Sequence, residues 1–204
     1  IDDAQHLVSK SVSLQGTPAE IYLRTERGIQ GELPESLRYH PAGTTYTYGG
    51  QEKKIYSGAL VSIAKDQEGE VKALQLTYLT KEGKRSLDKD GNKFPKMTHG
   101  VAKGSFVDLQ KGDKKSPVIL AEGVETALSL KEAGVKGSIY CSLGTSNIRN
   151  MDLSGRDVLI AADWDGSYEK QSWKEIEKTK GALEEKGNKV SVILPVKNPE
   201  LTSE

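Results

Sequence analysis

Three carboxylates stand where a hard cation could be held. Glu122 follows the apolar run Val118-Ile119-Leu120 and precedes Gly123 and a helical pattern. Asp163 and Asp165 follow a second run, Val158-Leu159-Ile160-Ala161-Ala162, and flank Trp164 ahead of Gly166. An Asp-x-Asp pair in a turn can aim both side chains at one point. Crowded carboxylates repel, so they favour a bound cation. Mg²⁺ takes oxygen ligands, keeps its waters and needs only one or two carboxylates beside substrate phosphates. That donor set suits phosphoryl transfer, where the metal neutralises charge on the phosphate oxygens. Either acidic segment alone also fits a turn or a helix cap. The two together, separated by one strand–helix–strand stretch, point to a shared site. Glu125, one helical turn past Glu122, reads as a supporting or solvated side chain.

The elements around these acids follow a clear rhythm in the second half. The runs 118–120, 139–141, 158–162 and 190–194 are continuous and apolar, and helical patterns over about 124–133 and 168–186 lie between them. Continuous apolar strands alternating with helices indicate a parallel sheet covered on both faces. Ligands of such sheets bind beyond the carboxyl ends of the strands, where all three acids fall. Trp173, Ile176 and Leu183 share a helical face and read as core. Ser146, in the small-residue loop 142–147 after the second run, reads as the cap of the following helix, and the residues of that loop could otherwise offer N–H groups to a phosphate.

The first half has a different pattern. Thr17-Pro18-Ala19-Glu20 forms a capping box with Pro at the first helical position, and the helix should stop at Gly28. Residues 58–64 and 71–80 read as a hairpin across the turn 67–70, and 105–109 as a further strand. The chain divides at the polar, turn-rich stretch 110–116 into a unit over 1–115 and a unit over 116–204. The expected fold class is α/β, with a parallel sheet flanked by helices preceded by a small α+β domain built on an antiparallel sheet.

Between 81 and 103 the chain is locally basic. Lys81, Lys84, Arg85, Lys89, Lys93, Lys96 and Lys103 stand against three carboxylates. Such a stretch can track a phosphate backbone, or it can be a solvated hairpin. Phe94 and Tyr78 could stack on bases, with core packing the plainer role for Tyr78. Lys170 and Lys174 follow the Asp-x-Asp turn within reach of a nucleotide or on a solvated helix face.

Composition bounds the rest. Lys and Arg number 29 and Asp and Glu 29 among 204 residues, so no whole-molecule field attracts nucleic acid or membrane. A lone cysteine, Cys141, excludes an internal disulfide and argues against a Cys-based zinc site. It reads as a buried small hydrophobe. No His pair has zinc-hydrolase spacing. No apolar run reaches the roughly 20 residues of a membrane span, and the first residues lack the pattern of a secretory signal. A reducing, cytoplasmic setting is expected.

Val118-Ile119-Leu120-Ala121-Glu122-Gly123-Val124-Glu125-Thr126-Ala127-Leu128, followed by Val158 to Gly166, resembles the Toprim domain of topoisomerases and DnaG-type primases. The wording is most similar to Toprim domains of phage and plasmid primases and conjugative relaxases. Upstream, Tyr22-Leu23-Arg24 with Arg27-Gly28-Ile29, Leu33 to Pro41, and Lys93 to Gly104 are similar to the region preceding Toprim in those primases, so the resemblance covers about 17–195. It implies that Glu122 is the general acid/base of nucleotidyl transfer or strand cleavage, and that Asp163 and Asp165 hold Mg²⁺ or Mn²⁺, with Glu122 as a further ligand. Gly123 and Gly166 would let the backbone turn beside the site. Lys81, Lys84, Arg85, Lys93, Lys96 and Lys103 would contact nucleic acid.

The implied partners are single-stranded DNA and nucleoside triphosphates, within a larger multidomain protein carrying relaxase or helicase domains. The implied activity is Mg-dependent, primase-like nucleotidyl transfer in plasmid or phage replication or in conjugation. Two other readings stay open. One is a non-catalytic DNA- or partner-binding Toprim module of a relaxase. The other is a strand-cleaving Toprim domain of nuclease or topoisomerase type, for which Tyr46, Tyr48 and Tyr56 are the available tyrosines. The sequence departs from the family by lacking a zinc module and a P-loop, and by carrying Pro195 to Glu200 where some relatives have an Asp-rich segment.

Overall fold

A computed structural model describes residues 2–41, 45–48, 51–54, 58–88, 90–153, 155–163, 167 and 169–194. The first unit opens with helix α1 (Asp2–Ser9) and the short helix α2 (Pro18–Ile21). Thr17 caps α2 as the capping box requires, its hydroxyl accepting from Glu20 N at 3.4 Å. The Glu20 carboxylate reaches back to Gly16 N at 2.8 Å. The helix does not simply continue to Gly28 but widens into a π-helical turn, Tyr22–Glu26.

Strands β1 (Leu37–His40), β4 (Ala59–Lys65), β5 (Val71–Tyr78) and β6 (Met97–Gly100) form an antiparallel sheet in the order β1-β4-β5-β6, and β2 (Thr45–Tyr48) and β3 (Gln51–Lys54) pair separately. Strand β4 is buried along nearly its whole length because both its faces are covered. Ala59, Val61 and Ile63 pack with Ala4 and Leu7 of α1. Leu60 and Ala64 pack instead against Tyr22, Leu23 and a core shared with the second unit.

The second sheet has the order β11-β10-β8-β9-β7. Strands β8 (Val118–Ala121), β9 (Ser138–Cys141), β10 (Val158–Ala161) and β11 (Val190–Ile193) run parallel. Strand β7 (Val107–Gln110) closes the edge antiparallel to β9, with a register shift between Asp108 and Gln110. The expected parallel sheet is therefore mostly parallel, with one reversed edge.

Helix α3 (Val124–Glu132) covers one face, where Ile119, Ala121, Ile139 and Cys141 meet Ala127 and Leu128. Helix α4 (Gln171–Glu185) covers the other with Ile176 and Leu183, over Val118, Leu120, Val158 and Ile160. Alternate residues of each strand thus serve opposite cores, which is why these runs are apolar throughout. Trp173 packs at the margin of the α4 core, as its helical face predicts.

Ser146 does not cap a helix. The segment after β9 is a 3₁₀ helix, Thr145–Asn150, whose N-terminal flank is Gly144 and which has no side-chain cap. Among the described residues, no helix is long and apolar enough to cross a membrane.

Candidate nucleotidyl-transfer site

Parallel pairing sets the site. Ala121 at the end of β8 lies opposite Ala161 at the end of β10. Neighbouring strands run about 4.8 Å apart, so Glu122 and Asp163 leave adjacent strand ends on the same edge of the sheet. Both are exposed. Asp163 accepts from Thr126 Oγ1, in the first turn of α3, at 3.3 Å. Glu122 accepts from Thr145 Oγ1 at 2.8 Å.

The loop that carries Thr145 there is strained. Leu143 sits at φ +58° and Gly144 at φ +147°. A non-glycine residue in the left-handed region costs about 1–2 kcal/mol. Such strain persists only where the surroundings enforce it and gathers at functional sites.

Asp165 and Gly166, with Trp164, lie outside the described residues. So do Lys89, Tyr56, the side chains of Tyr46 and Tyr48, and the segment 195–200. Among the described residues, no three His, Cys, Asp or Glu side chains form a cation cluster. Two exposed carboxylates at neighbouring strand ends, each with a threonine hydroxyl beside it, remain an all-oxygen donor set of the kind Mg²⁺ takes.

Asp163 also borders a cavity of about 430 Å³ between the two units. Gly123, Glu125 and Thr126 line it from α3, and Tyr22, Glu26 and Arg27 from the π-turn. Lys84, Arg85, Leu87, Lys93 and Lys96 close it from the segment between β5 and β6. That segment is a folded-back hairpin. Leu87 bridges Lys93, Phe94 N donates to Ser86 O at 2.9 Å, and the Asp88 carboxylate holds the tip by accepting from Asp90 N and Asn92 N. Of the basic residues singled out in the sequence, Lys84, Arg85, Lys93 and Lys96 reach this cavity. Lys81 and Lys103 are exposed and do not line it. Phe94 is half-buried edge-on against buried Tyr78, their ring centroids 6.4 Å apart.

Of the two roles read for Glu125, the solvated one is excluded, since it is only 7% exposed. Its carboxylate accepts from Tyr22 OH at 3.0 Å and from Lys96 Nζ at 2.6 Å. Burial works against its charge, but the Lys96 ammonium outweighs burial and holds the carboxyl below the ordinary range. Burial, reinforced by the negative Glu125 carboxylate, pushes Tyr22 up to about 12. Tyr22, Arg27, Thr126 and Thr145 stand at the candidate site without any spacing signal that reveals them. Tyr22 and Glu125 meet across 103 positions of sequence, and no local pattern marks such a contact.

Fold and site together define a class: an α/β domain with acids at adjacent strand ends, joined to an α+β unit across a basic cavity. The family model of the Domain of unknown function (DUF7146) matches residues 1–109, and that of the Toprim domain matches residues 117–201. The chain belongs to the DUF7146 family and carries a Toprim domain. No curated protein sequence matches it.

A DNA primase domain from Pseudomonas aeruginosa is similar in structure, with a TM-score of 0.56 and 13% identity over 88% of this chain and 64% of that one. This chain therefore spans less than two thirds of that domain's length. A bacteriophage T7 lagging-strand DNA polymerase assembly, with primase domains bound to an RNA/DNA hybrid and dTTP, gives a TM-score of 0.37 and 15% identity over 76% and 71% of the two chains. That score is too low to define a shared fold.

Proposed function

We propose that this chain is a Mg-dependent, primase-like nucleotidyltransferase module that acts on single-stranded DNA in plasmid or phage replication or in conjugative transfer, as part of a larger protein with relaxase or helicase domains. It comprises a unit over 1–115 and a Toprim unit over 116–204. The observation that carries the reading is the basic cavity that opens directly onto Asp163 at the strand ends. Cations that could take phosphates thus border one of the carboxylates proposed for the metal, the combination nucleotidyl transfer needs.

Asp163 and Asp165 would hold Mg²⁺, with Glu122 beside them. When bound, the ion would supply charge neutralisation at the triphosphate oxygens. The chain's own residues do the remainder. Arg27, Lys84, Arg85 and Lys93 draw the phosphates into the cavity and orient them. Glu122, turned by Thr145, acts as general acid/base toward the attacking 3′-hydroxyl. Thr126 keeps the Asp163 carboxylate facing the cavity edge.

The test is primer synthesis on a single-stranded template in Mg²⁺. The Asp163→Asn/Asp165→Asn variant should lose synthesis by at least two orders of magnitude while remaining folded by circular dichroism. Wild-type synthesis in that folded variant would refute the metal assignment. Template binding by the wild type with no nucleotide incorporated would instead favour a DNA-binding Toprim module. Nicking or relaxation of supercoiled DNA would favour the strand-cleaving reading.

A further inference from the structure

Among the described residues five cations line the cavity, but they are not equivalent. Among the described residues, no carboxylate lies within ion-pair distance of Arg27, Lys84, Arg85 or Lys93. Lys96 differs from them. Its ammonium lies 2.6 Å from Glu125 Oε2, with the Lys96 side chain 27% exposed and the Glu125 side chain 9%. Tyr22 OH fixes the other carboxylate oxygen. The pair sits beside Gly123, where an added Cβ would lie 3.5 Å from Glu125 Oε2 and 3.9 Å from Lys96 Nζ. It therefore forms the cavity floor where α3 begins, next to the strand-end acids.

A phosphate near that floor meets an ammonium and a carboxylate in contact. Attraction to one is offset by repulsion from the other. A phosphate near the hairpin and the π-turn meets guanidinium and ammonium groups that no described carboxylate contacts, although Glu26 also lines that wall. We propose that Glu125 cancels the Lys96 charge at the cavity floor and thereby confines phosphate binding to the wall made by Arg27, Lys84, Arg85 and Lys93. The neutral floor is then left for the uncharged part of a nucleotide. Glu125 acts through Lys96, as a positioning residue for the polyanion, and not as a metal ligand. This inference rests on the reading that the cavity takes nucleic-acid phosphates.

The test is the salt dependence of binding to a labelled oligothymidylate, followed by fluorescence anisotropy. Each neutralised phosphate on a single strand contributes about 0.7 to the slope of log affinity against log salt. Glu125→Gln frees Lys96, so its slope should steepen by about 0.7. Arg27→Ala should flatten it by about 0.7. The double variant Glu125→Gln/Lys96→Met exchanges one neutral pair for another of similar volume and should keep the wild-type slope. It decides the matter alone if the single Glu125 variant fails to fold.

A double variant flatter by about 0.7 would show Lys96 neutralising phosphate and overturn the proposal. So would a folded Glu125→Gln protein with an unchanged slope. Either result leaves the primase-like reading intact. Absence of binding by the wild type would sink both.

Discussion

Glu125 carries its charge in a setting that would ordinarily suppress it. With its carboxyl held below the ordinary value of about 4.5, the ionised form favours the folded chain. The stabilisation is fully present above that ordinary value and is lost as pH falls through the folded-state value. Glu125→Gln should therefore show a smaller drop in Tm than the wild type between about pH 5 and about pH 3, by differential scanning calorimetry.

Cys141 offers an independent check. It is fully buried, and burial pushes its thiol up to about 12. The thiolate is the reactive form, so iodoacetamide should leave the folded protein unmodified at neutral pH and label it once urea unfolds it. At this scale the sequence is readable where chemistry is tied to element ends. The placement of Glu122 and Asp163 just past strand ends is legible because acids directly follow apolar runs. Tyr22, Thr126 and Thr145 are not, because their roles arise from pairings between distant segments.

Elements were legible in proportion to how fully local pattern determines them. The four-residue runs of the second sheet are apolar at every position because α3 and α4 cover both faces, and that signature survives in one dimension. The capping box of α2 was equally plain. The π-turn after it was not. Tyr22 at its start meets Glu125 and Arg27 just past its end lines the cavity, both tertiary contacts that local pattern does not encode. The supposed cap at Ser146 failed for a related reason. Thr145 is committed to Glu122, and the strained Leu143-Gly144 bend sets the chain into a 3₁₀ helix without a side-chain cap.

Leu120, fully buried between β10 and α4, tests the two-sided packing. Leu120→Ala should cost about 2–5 kcal/mol, as truncations in close-packed cores do. Urea unfolding should show this as a lower midpoint at unchanged slope.

For the whole molecule, the two units are less separate than the polar stretch 110–116 suggests. One core runs from Leu60 and Tyr22 through Leu109 to Ile119 and Leu128. Lys65 and Phe106 exchange two backbone hydrogen bonds of 2.9 and 3.0 Å, and Ser36 Oγ donates to Asp108 O at 2.6 Å. Strand β7 supplies the edge of the second sheet although it precedes the matched Toprim segment. A fragment beginning at residue 117 should leave that edge of β9 open and aggregate, while one beginning at 104 should stay monomeric longer in size-exclusion chromatography. Equal behaviour of the two would show that β7 is dispensable.

The Lys65–Phe106 backbone bridge has a mechanical consequence. It rivets one sheet to the other, so the two sheets cannot swing apart there as a clamshell. On the proposed function, an opening for single-stranded DNA would come from the basic hairpin lifting like a latch over a fixed bed. Gripping and release would then be set at the rim of that hairpin, while the strand-end acids stay with the sheet.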